Sequence, residues 1–339
     1  MNDTLILAIE SSCDETAVAI LKNETELLSN VVYSQIKTHQ EFGGVIPEVA
    51  SRIHVEKITY VIKQALTEAN VVMEDIDAIG ITFGPGLIGS LHVGLQAAKT
   101  LAWMYNLPLI PVHHIAGHIY ANAYVATLKY PLLAIVVSGG HSELILMNKE
   151  NEFKVIATTV DDAIGEAYDK VARVMNAGYP GGPVIDKLAK EGKPHYNLPK
   201  VKTANENELS FSGLKSAVIQ CVAKEKKLGN DININDLAFA FQERALEQIL
   251  EKTELMINEH PVQHVVLAGG VAANSKLRQD LTELMIHYPD INLTIPPMWC
   301  CTDNAAMIAM SAAVNYRYNI LATEDLGAKS TVDIEQFHQ

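Results

Sequence analysis

The sequence predicts a duplicated α/β architecture of two lobes. Each half of the 339-residue chain opens with three strand-like apolar runs, and a short polar turn joins the first run to the second. Helical and strand-like patterns then alternate in both halves, which is typical of sheets covered by helices. Because the same order of elements occurs twice, the pattern indicates two lobes of similar plan, although few residues match between the halves.

In the first half, the polar turn S-S-C-D-E-T separates the first two predicted strands. Pro47 stands where the first turn of a helix is expected, and the apolar residues after it keep a helical period up to Ala69. A strand that ends in G-P-G-L-I-G, a second helix through Ala98 and another strand follow. The predicted strands of this half are Leu5–Ile9, Ala17–Leu21, Leu28–Tyr33, Ala78–Phe83 and Leu107–Val112.

The second half follows the same plan, with S-G-G-H as its first turn. A buried-type strand that ends in Gly269-Gly270 and leads into a helix closes the pattern. The predicted strands are Leu132–Val137, Glu143–Met147, Lys154–Thr159, His264–Ala268 and Asn292–Ile295. The predicted helices are Asp162–Met175, Val184–Glu191, Gly213–Glu225, Leu237–Asn258 and a last helix from Asp303.

These patterns divide the chain into an N-terminal lobe, residues 1–130, and a C-terminal lobe, residues 131–339, with a helical insertion at about 180–260. The polar first turn of each lobe could direct backbone N–H groups at a phosphate, as anion-binding nests do. We therefore expect a nucleotide in the cleft between the lobes, where ligand pockets commonly form.

The amino-acid composition limits the classes of protein to which this chain can belong. The chain is 48% hydrophobic and 19% charged, as in ordinary globular proteins. It begins without a basic, signal-like segment and has no apolar run of membrane-spanning length, so neither a secretory signal nor membrane association is expected. The four cysteines lack disulfide or zinc-knuckle spacing, which favours free thiols in the reducing cytoplasm.

The formal net charge of −14 is unusual for a chain that binds RNA by itself, because phosphate contacts come from lysine and arginine. If a nucleic acid is the substrate, a local basic patch or a partner must supply positive charge. Two lysine clusters could do so, and both could equally be solvated helix faces. They are Lys187, Lys190 and Lys193, and Lys224, Lys226 and Lys227.

The segment P-V-H-H-I-A-G-H places two histidines, His114 and His118, four residues apart. On a helix they lie on one face and could bind one metal ion, although a buried core histidine is the commoner case. Asp303 could complete such a site or could simply cap the last helix. Ile115 follows His114, so the H-E-x-x-H arrangement of zinc proteases is absent. His113 points elsewhere and has no predicted role.

Glycine-rich turns mark the second half as a candidate nucleotide site. Asp169 and Asp186 flank the turn Y-P-G-G-P and could accept hydrogen bonds from ribose hydroxyls. Asn274 follows the small residues of A-G-G-V-A-A, which leave room for a flat ring. The chain has neither a G-x-x-x-x-G-K-[ST] loop nor a G-x-G-x-x-G turn after a first strand, which argues against a P-loop and a Rossmann dehydrogenase.

Nine segments can be read together along nearly the whole chain. They are G-G-V-I-P-E-V-A-S-R-I-H (43–54), F-G-P-G-L (83–87), H-H-I-A-G-H (113–118), V-S-G-G-H-S-E-L (137–144), D-D-A-I-G-E-A-Y-D-K (161–170), Y-P-G-G-P (179–183), S-F-S-G-L-K (210–215), A-G-G-V-A-A-N (268–274) and C-T-D-N-A-A (301–306). In this order they resemble the TsaD family of tRNA adenosine threonylcarbamoyltransferases, once described as sialoglycoprotein endopeptidases.

The resemblance implies a two-lobed actin/Hsp70/sugar-kinase-like (ASKHA) fold. The implied reaction is transfer of threonylcarbamoyl from threonylcarbamoyl-AMP to N6 of adenosine 37 in tRNAs that read codons beginning with A. It implies two protein partners, a TsaB-like paralogue and a TsaE-like ATPase. The implied metal is Fe²⁺ or Zn²⁺. The matching metal ligands are His114, His118 and Asp303, and the matching substrate-binding residues are Val136, Val137, Ser138, Gly139, Gly140, Asp169, Gly182, Asp186 and Asn274.

Some positions and some functions stay open at this point. Archaeal and eukaryotic relatives have a ligating tyrosine where this chain has Val136, so no fourth protein ligand is expected there. His141 and Glu10 are candidates for the general base. A metalloprotease, a sugar-kinase-like phosphotransferase and a nucleotide-binding scaffold are the competing functions. The sequence does not indicate roles for three residues of the first quoted segment, Glu48, Arg52 and His54.

Overall fold

The computed structural model describes residues 3–337 of the chain. In chain order the strands are β1 (Leu5–Glu10), β2 (Glu15–Lys22), β3 (Glu26–Ser34), β4 (Ala78–Gly84), β5 (Leu109–His113), β6 (Leu132–Val137), β7 (Ser142–Met147), β8 (Phe153–Thr159), β9 (Glu208–Leu209), β10 (His264–Ala268) and β11 (Asn292–Thr294). The helices are α1 (Ile36–Gln40), α2 (Pro47–Ala69), α3 (Ile88–Tyr105), α4 (His114–Tyr120), α5 (Ile164–Val174), α6 (Gly181–Glu191), α7 (Ser212–Leu228), α8 (Ile234–Glu259), α9 (Ser275–Met285), α10 (Met298–Cys301) and α11 (Ala305–Arg317).

The chain forms two compact units. The first contains the chain up to Leu128, residues 150–153 and the chain from Pro296 onward, and the second contains Lys129–Lys149 and Lys154–Ile295. The division made from the sequence placed the C-terminal segment in the second lobe. That segment instead belongs to the first unit, because α11 packs against β1, β2 and β5.

The first unit is built on a five-stranded sheet with the order β3-β2-β1-β4-β5. Strand β1 pairs antiparallel with β2 and parallel with β4. The side chains of Leu7 and Ile79 point to the face covered by α2 and α3. Alternate positions point to α11, where a Cβ on Gly80 would lie 2.6 Å from the Cβ of Ala312. Glycine at this position therefore lets α11 approach the sheet closely.

The second unit is built on a six-stranded sheet with the order β11-β10-β6-β7-β8-β9. Strand β6 pairs antiparallel with β7 and parallel with β10, which repeats the arrangement around β1. The duplicated α/β plan predicted from the order of elements is therefore confirmed. The two-residue strand β9 was not predicted, since two residues carry no readable period.

Helices α5 to α9 belong to the second unit, and α8 packs against α6, α7 and α9. Helix α5 begins at Ile164, two residues after the predicted start at Asp162. Helix α6 begins at Gly181 in place of the predicted Val184, because the glycines of Y-P-G-G-P form its first turn. Within residues 3–337, no helix has both the length and the apolar character that crossing a membrane requires.

Candidate metal centre and glycine-lined site

The first two predicted metal ligands lie on one face of α4. The rings of His114 and His118 stand 4.7 Å apart at their centroids, and both residues are buried. Their neighbour His113 is the N-cap of the helix, with its Nδ1 accepting a hydrogen bond from the backbone N–H of Ile115 at 3.2 Å. Its Nε2 donates to the carbonyl oxygen of Val332 at 3.2 Å. His113, which had no predicted role, therefore fixes the start of the helix.

Asp303 reaches the two histidines from the segment before α11. Its Oδ1 lies 3.1 Å from Nε2 of His118 and 3.6 Å from Nε2 of His114. The alternative role of Asp303 as helix cap is wrong, because Asn304 caps α11 by accepting from the N–H of Met307 at 3.0 Å. One ligand atom from each of the three residues lies within 4.8 Å of the others. All three residues belong to the first unit.

These residues fit a divalent metal ion. Neither ring nitrogen of His118 makes a well-aligned hydrogen bond with the described residues, although its Nε2 lies 3.1 Å from Oδ1 of Asp303, and the side chain is fully buried. An unpaired buried polar atom is costly, and a metal ion would use the Nε2 lone pair. Two imidazoles and a carboxylate are donors that suit zinc or iron. The Asp303 side chain is 21% exposed, so the site has an open side.

Glu10 lies behind His114 at the end of β1 and is fully buried. Its Oε2 is 3.2 Å from Nδ1 of His114 and accepts a hydrogen bond from the Thr82 hydroxyl at 2.6 Å. The Ser12 backbone N–H donates to Oε1, and the Ser12 hydroxyl lies 3.1 Å from the same Nδ1. This arrangement keeps a proton on Nδ1 and turns Nε2 toward Asp303, as carboxylates behind metal-binding histidines do.

The charges of this cluster shift its pKa values. Burial opposes protonation of His114, but Asp303 and Glu10 outweigh it and raise the pKa of His114 to about 9. Burial likewise opposes ionisation of Glu10, but His114 lowers the pKa of that carboxyl below its ordinary value. In the metal-free protein, His114 and Glu10 are therefore a buried ion pair. A metal ion must displace the proton on Nε2 of His114 to bind there.

The turn between β1 and β2 is held by His54 of α2. The Nε2 of His54 donates to the carbonyl oxygen of Cys13 at 2.9 Å, and its Nδ1 accepts from the Thr16 hydroxyl at 2.7 Å. Burial lowers the pKa of His54, so the ring is neutral at pH 7 and these two hydrogen bonds are maintained. This gives His54 a structural role, whereas Glu48 and Arg52 are exposed on the same helix.

In the second unit, the S-G-G-H turn joins β6 and β7. The Ser138 N–H donates to the His141 carbonyl at 2.8 Å, and the His141 N–H donates to the Ser138 hydroxyl at 3.0 Å. Behind the turn, a Cβ on Gly165 would lie 2.7 Å from the Ser138 carbonyl oxygen. In front, Gly139 and Gly140 are exposed, and an added Cβ would meet no atom within 4 Å. The turn is thus fixed from behind and open in front.

The turn Y-P-G-G-P also has one closely packed glycine and one glycine with open space beside it. Asp169 accepts a hydrogen bond from the backbone N–H of Gly181 at 2.7 Å, which fixes the start of α6. A Cβ on Gly181 would lie 2.5 Å from the Tyr168 carbonyl oxygen, whereas a Cβ on Gly182 would meet no atom within 4 Å. Asp169 therefore acts on the backbone of this turn, and Gly182 provides its open surface.

Asp186 and Asn274 belong to one polar network. The Ser275 hydroxyl donates to the Asp186 carboxylate at 2.9 Å. The Asn274 amide donates to Oε1 of Gln242 at 2.8 Å, and its oxygen accepts from the N–H of Leu277 at 2.9 Å. A cavity of about 580 Å³ adjoins this network and is lined by Gln242 and Ser275. Carboxylate and amide groups beside a cavity could bind hydroxyls or a purine ring.

Sequence reasoning did not identify Gln242 or Ser275, and it considered Glu10 only as a general base. For Gln242 a signal was available, because it is a polar residue among the apolar positions of a long helix and is nearly fully buried. Glu10 offered a similar signal at the end of the apolar run L-I-L-A-I. Since buried polar side chains need partners, such residues indicate a network before its members are known.

The comparisons with known proteins agree with this picture. A family model described as TsaD: tRNA N6-adenosine threonylcarbamoyltransferase matches residues 26–310. A protein of that name from Listeria welshimeri is 51% identical over 335 residues, which cover 98% of this chain and 97% of the relative. One from Bacillus anthracis is 52% identical over 334 residues, with the same coverage of both chains.

Solved structures show a related fold at low sequence identity. HypF from T. kodakarensis matches with a TM-score of 0.64 and 15% identity over 95% of this chain, which spans about half (49%) of the HypF chain. Full-length HypF in a phosphate- and nucleotide-bound form matches with a TM-score of 0.60 and 15% identity, covering 93% of this chain and 46% of that chain. These similarities support the two-lobed ASKHA-like fold that the sequence resemblance implied.

The family assignment has two independent supports. The family model spans most of the chain, and relatives at about half identity align over nearly all of it. The segments that carried the resemblance form ordered sites in the structure, with three ligand atoms gathered in the first unit and open glycine turns in the second. The chain belongs to the TsaD family of tRNA N6-adenosine threonylcarbamoyltransferases, and it is a transferase.

Proposed function

We propose that this chain transfers the threonylcarbamoyl group from threonylcarbamoyl-AMP to N6 of adenosine 37 in tRNAs that read codons beginning with A, forming the modified nucleoside t6A. The observation that carries the proposal is the triad of His114, His118 and Asp303, two buried histidines and a partly exposed carboxylate, in a chain of this family. We place the reaction in the cytoplasm, in keeping with four cysteines that are all free thiols.

The triad would hold one divalent ion, either Fe²⁺ or Zn²⁺. When bound, such an ion supplies Lewis acidity toward a carbonyl or phosphoryl oxygen. The chain itself orients the donors. Glu10 accepts the Nδ1 proton of His114 in a hydrogen bond and so fixes the tautomer whose Nε2 is a ligand. Glu10 is fully buried and hydrogen-bonded in this role, so it is a positioning residue and we do not assign it as the general base.

The second unit would bind the adenylate part of the donor. The turn Val136–Gly140 offers open glycines, so backbone N–H groups could approach the phosphate and stabilise charge as AMP leaves. Asp186 would accept hydrogen bonds from the ribose, with Ser275 fixing its orientation. Asn274, held by Gln242, would contact the adenine ring. His141 of the same turn stays a candidate for the base that takes the N6 proton.

A TsaB-like paralogue and a TsaE-like ATPase are proposed as protein partners. The proposal rests on the family resemblance, together with the net charge of −14, which leaves tRNA binding in need of additional positive charge. Peptide hydrolysis is not proposed, because Ile115 stands where a zinc protease has its general base.

The test is direct. The purified chain, both partners and threonylcarbamoyl-AMP are incubated with unmodified tRNA, and the nucleosides are identified by mass spectrometry. We expect t6A at position 37 and a loss of at least about 100-fold for His114→Ala or His118→Ala. The exposed His287→Ala serves as the matched control and should keep full activity. No t6A from the parent chain would overturn the function, and full activity of His118→Ala would overturn the metal assignment.

A further inference from the structure

One continuous segment of this acidic chain is strongly basic. Residues 187–227 contain nine lysines and four glutamates, a net charge of +5. Of 26 basic and 40 acidic residues in the whole chain, that leaves 17 basic and 36 acidic residues elsewhere, a net charge of −19. The nine lysines are Lys187, Lys190, Lys193, Lys200, Lys202, Lys215, Lys224, Lys226 and Lys227.

Most of these lysines are available for a partner. Eight of the nine are exposed, and Lys215 is half-buried. Lys190 pairs with Asp186 at 3.2 Å, and Lys200 pairs with Glu247 and Glu251. The other seven form no ion pair with any residue between 3 and 337. These seven ammonium groups are therefore not held in ion pairs within the described chain.

Two lysine clusters lie at the same end of the helices α6, α7 and α8. After α6, the backbone N–H of Lys193 donates to Asp236 at 2.8 Å, so the chain there packs on the first turn of α8. Helix α7 ends at Leu228, and only residues 229–233 connect it to α8. A link of this length spans at most about 3.6 Å per residue, which keeps Lys227 within about 25 Å of that turn. We call Lys187, Lys193, Lys224, Lys226 and Lys227 the basic surface.

Helix stability alone does not account for this clustering. Lysines in the last turn of α7 interact favourably with the helix dipole, which covers Lys226 and Lys227. However, Lys224 and Lys227 are three apart, so their like charges repel on the helix surface. Lys193 lies outside any helix, after α6 has ended. An anionic partner that spans both clusters would remove the repulsion and neutralise the remaining charges.

We propose that the basic surface binds the phosphate backbone of the substrate tRNA. This rests on the proposed function, which supplies a polyanionic substrate. Lysine ammonium groups bind phosphates as point charges without reading bases, so the surface would position tRNA and leave the choice of nucleoside to the reaction site. Because the rest of the chain carries −19 and repels RNA, binding depends on these few lysines and is steeply sensitive to salt.

The test compares two triple variants of equal charge change in the full-length chain. Lys224→Gln/Lys226→Gln/Lys227→Gln removes three of the five lysines of the basic surface, and Lys37→Gln/Lys63→Gln/Lys154→Gln removes three lysines elsewhere. Filter binding of unmodified tRNA by the chain together with both proposed partners is measured over a range of salt concentrations. We expect the first variant to lose at least about tenfold in affinity, with the slope of log K against log salt reduced by about 0.7–0.9 for each phosphate that is no longer bound. The control should change little.

A second variant, Lys187→Gln/Lys193→Gln, guards against a folding defect in α7 and should also weaken binding. Equal effects of the basic-surface and control variants would overturn the proposal, as would a parent chain that binds no tRNA at low salt when its partners are present. Loss of a protein partner with tRNA binding intact would overturn it too, and would point to an acidic protein on this surface. In the complete reaction, each basic-surface variant should raise KM for tRNA and leave kcat unchanged. If the parent chain forms no t6A but its tRNA binding depends on these lysines, the proposed function is wrong and the assignment of the basic surface as an RNA-binding surface is retained.

Discussion

Apart from the additional strand β9, the two sheets have the same strand order, yet the first turn of each carries different chemistry. Ionisable side chains lie next to the turn after β1. Glu10 contacts Nδ1 of His114, and Asp303 lies near Nε2 of the same ring. After β6, the equivalent turn presents Gly139 and Gly140 with open space in front. Under the proposed function, the same backbone plan would therefore support side-chain ligands for a cation in one unit and backbone donors for an anion in the other. A duplicated framework sets where a site can form, and the side chains around each turn determine what it could bind.

Metal removal is expected to give the largest difference between the two units, because it should abolish the function of the metal site and leave substrate binding by the second unit intact. Treatment with a chelator should lower t6A formation at least about 100-fold, because Lewis acidity contributes several kcal/mol to the transition state. Binding of a non-reactive threonylcarbamoyl-AMP analogue to the second unit should persist, as measured by calorimetry. Added Zn²⁺ or Fe²⁺ should restore activity. If protein that is shown to be metal-free keeps full activity, the triad of the first unit does not bind a metal ion that the reaction needs.

The Glu10→Gln variant tests the side chain behind the first turn. Glutamine keeps the shape but loses the charge that stabilises the Nδ1–H of His114, so we expect metal affinity to fall about 10–100-fold. Competition titration with a chromogenic chelator measures the affinity, and the absorption spectrum of the Co²⁺-substituted protein reports the ligand geometry. Glu26→Gln, exposed on β3, is the control. Unchanged affinity together with an unchanged spectrum would mean that Glu10 does not orient the ligand.

The pH dependence should distinguish metal-bound from metal-free protein. Metal binding displaces a proton from His114, whose pKa is about 9 without metal, so apparent affinity should rise up to about tenfold per pH unit until pH 9. The pKa in the folded state is raised above the ordinary 6.5, so this group stabilises the metal-free protein fully below pH 6.5 and loses that effect as pH rises to about 9. Chelated protein should lose up to about 3 kcal/mol of unfolding free energy across this range. Denaturant titrations that show no such loss would contradict the ion pair with Glu10.

Two alanine substitutions compare the front and the back of the glycine turn. Gly140→Ala adds a methyl group where no atom lies within 4 Å, so stability should hold while adenylate affinity falls about tenfold. Gly165→Ala places a Cβ 2.7 Å from the Ser138 carbonyl and should cost about 1–3 kcal/mol of stability. Thermal melts and calorimetric titration with AMP measure both effects. If Gly140→Ala binds AMP as well as the parent chain, the open face is not the binding face.

The smallest expected effect concerns the residue next to the third ligand. Asn304→Ala removes the cap of α11 and should cost about 1 kcal/mol of unfolding free energy. Metal affinity should change little, since Asn304 is not a ligand. Asp303→Asn should do the reverse, with a large loss of metal affinity and a small change in stability. A large loss of metal affinity in Asn304→Ala would show that the cap positions Asp303.

Much of the fold was readable in the sequence because its signals are local. Strand β6 is a run of six buried apolar residues, and α2 begins at a proline in its first turn. The start of α6 was missed by three residues because glycines carry no helical signal. The pair His114 and His118 was readable as a face of a helix, since four residues make about one turn. Asp303 as a third ligand was one of two open alternatives until the family resemblance favoured it, because nothing in local spacing links it to a segment 185 positions earlier.

The sequence by itself determined the order of elements, their duplication, the family and the helix that presents two histidines. The tertiary structure decided which distant groups meet. It packs α11 on the first sheet, which brings Asp303 to within 3.1 Å of His118, and it leaves Asn304 as the cap. It also places Glu10 against His114 across 104 positions of chain. The physical reason is that hydrophobic periodicity acts over a few residues, whereas the meeting of ligands depends on how whole sheets and helices pack.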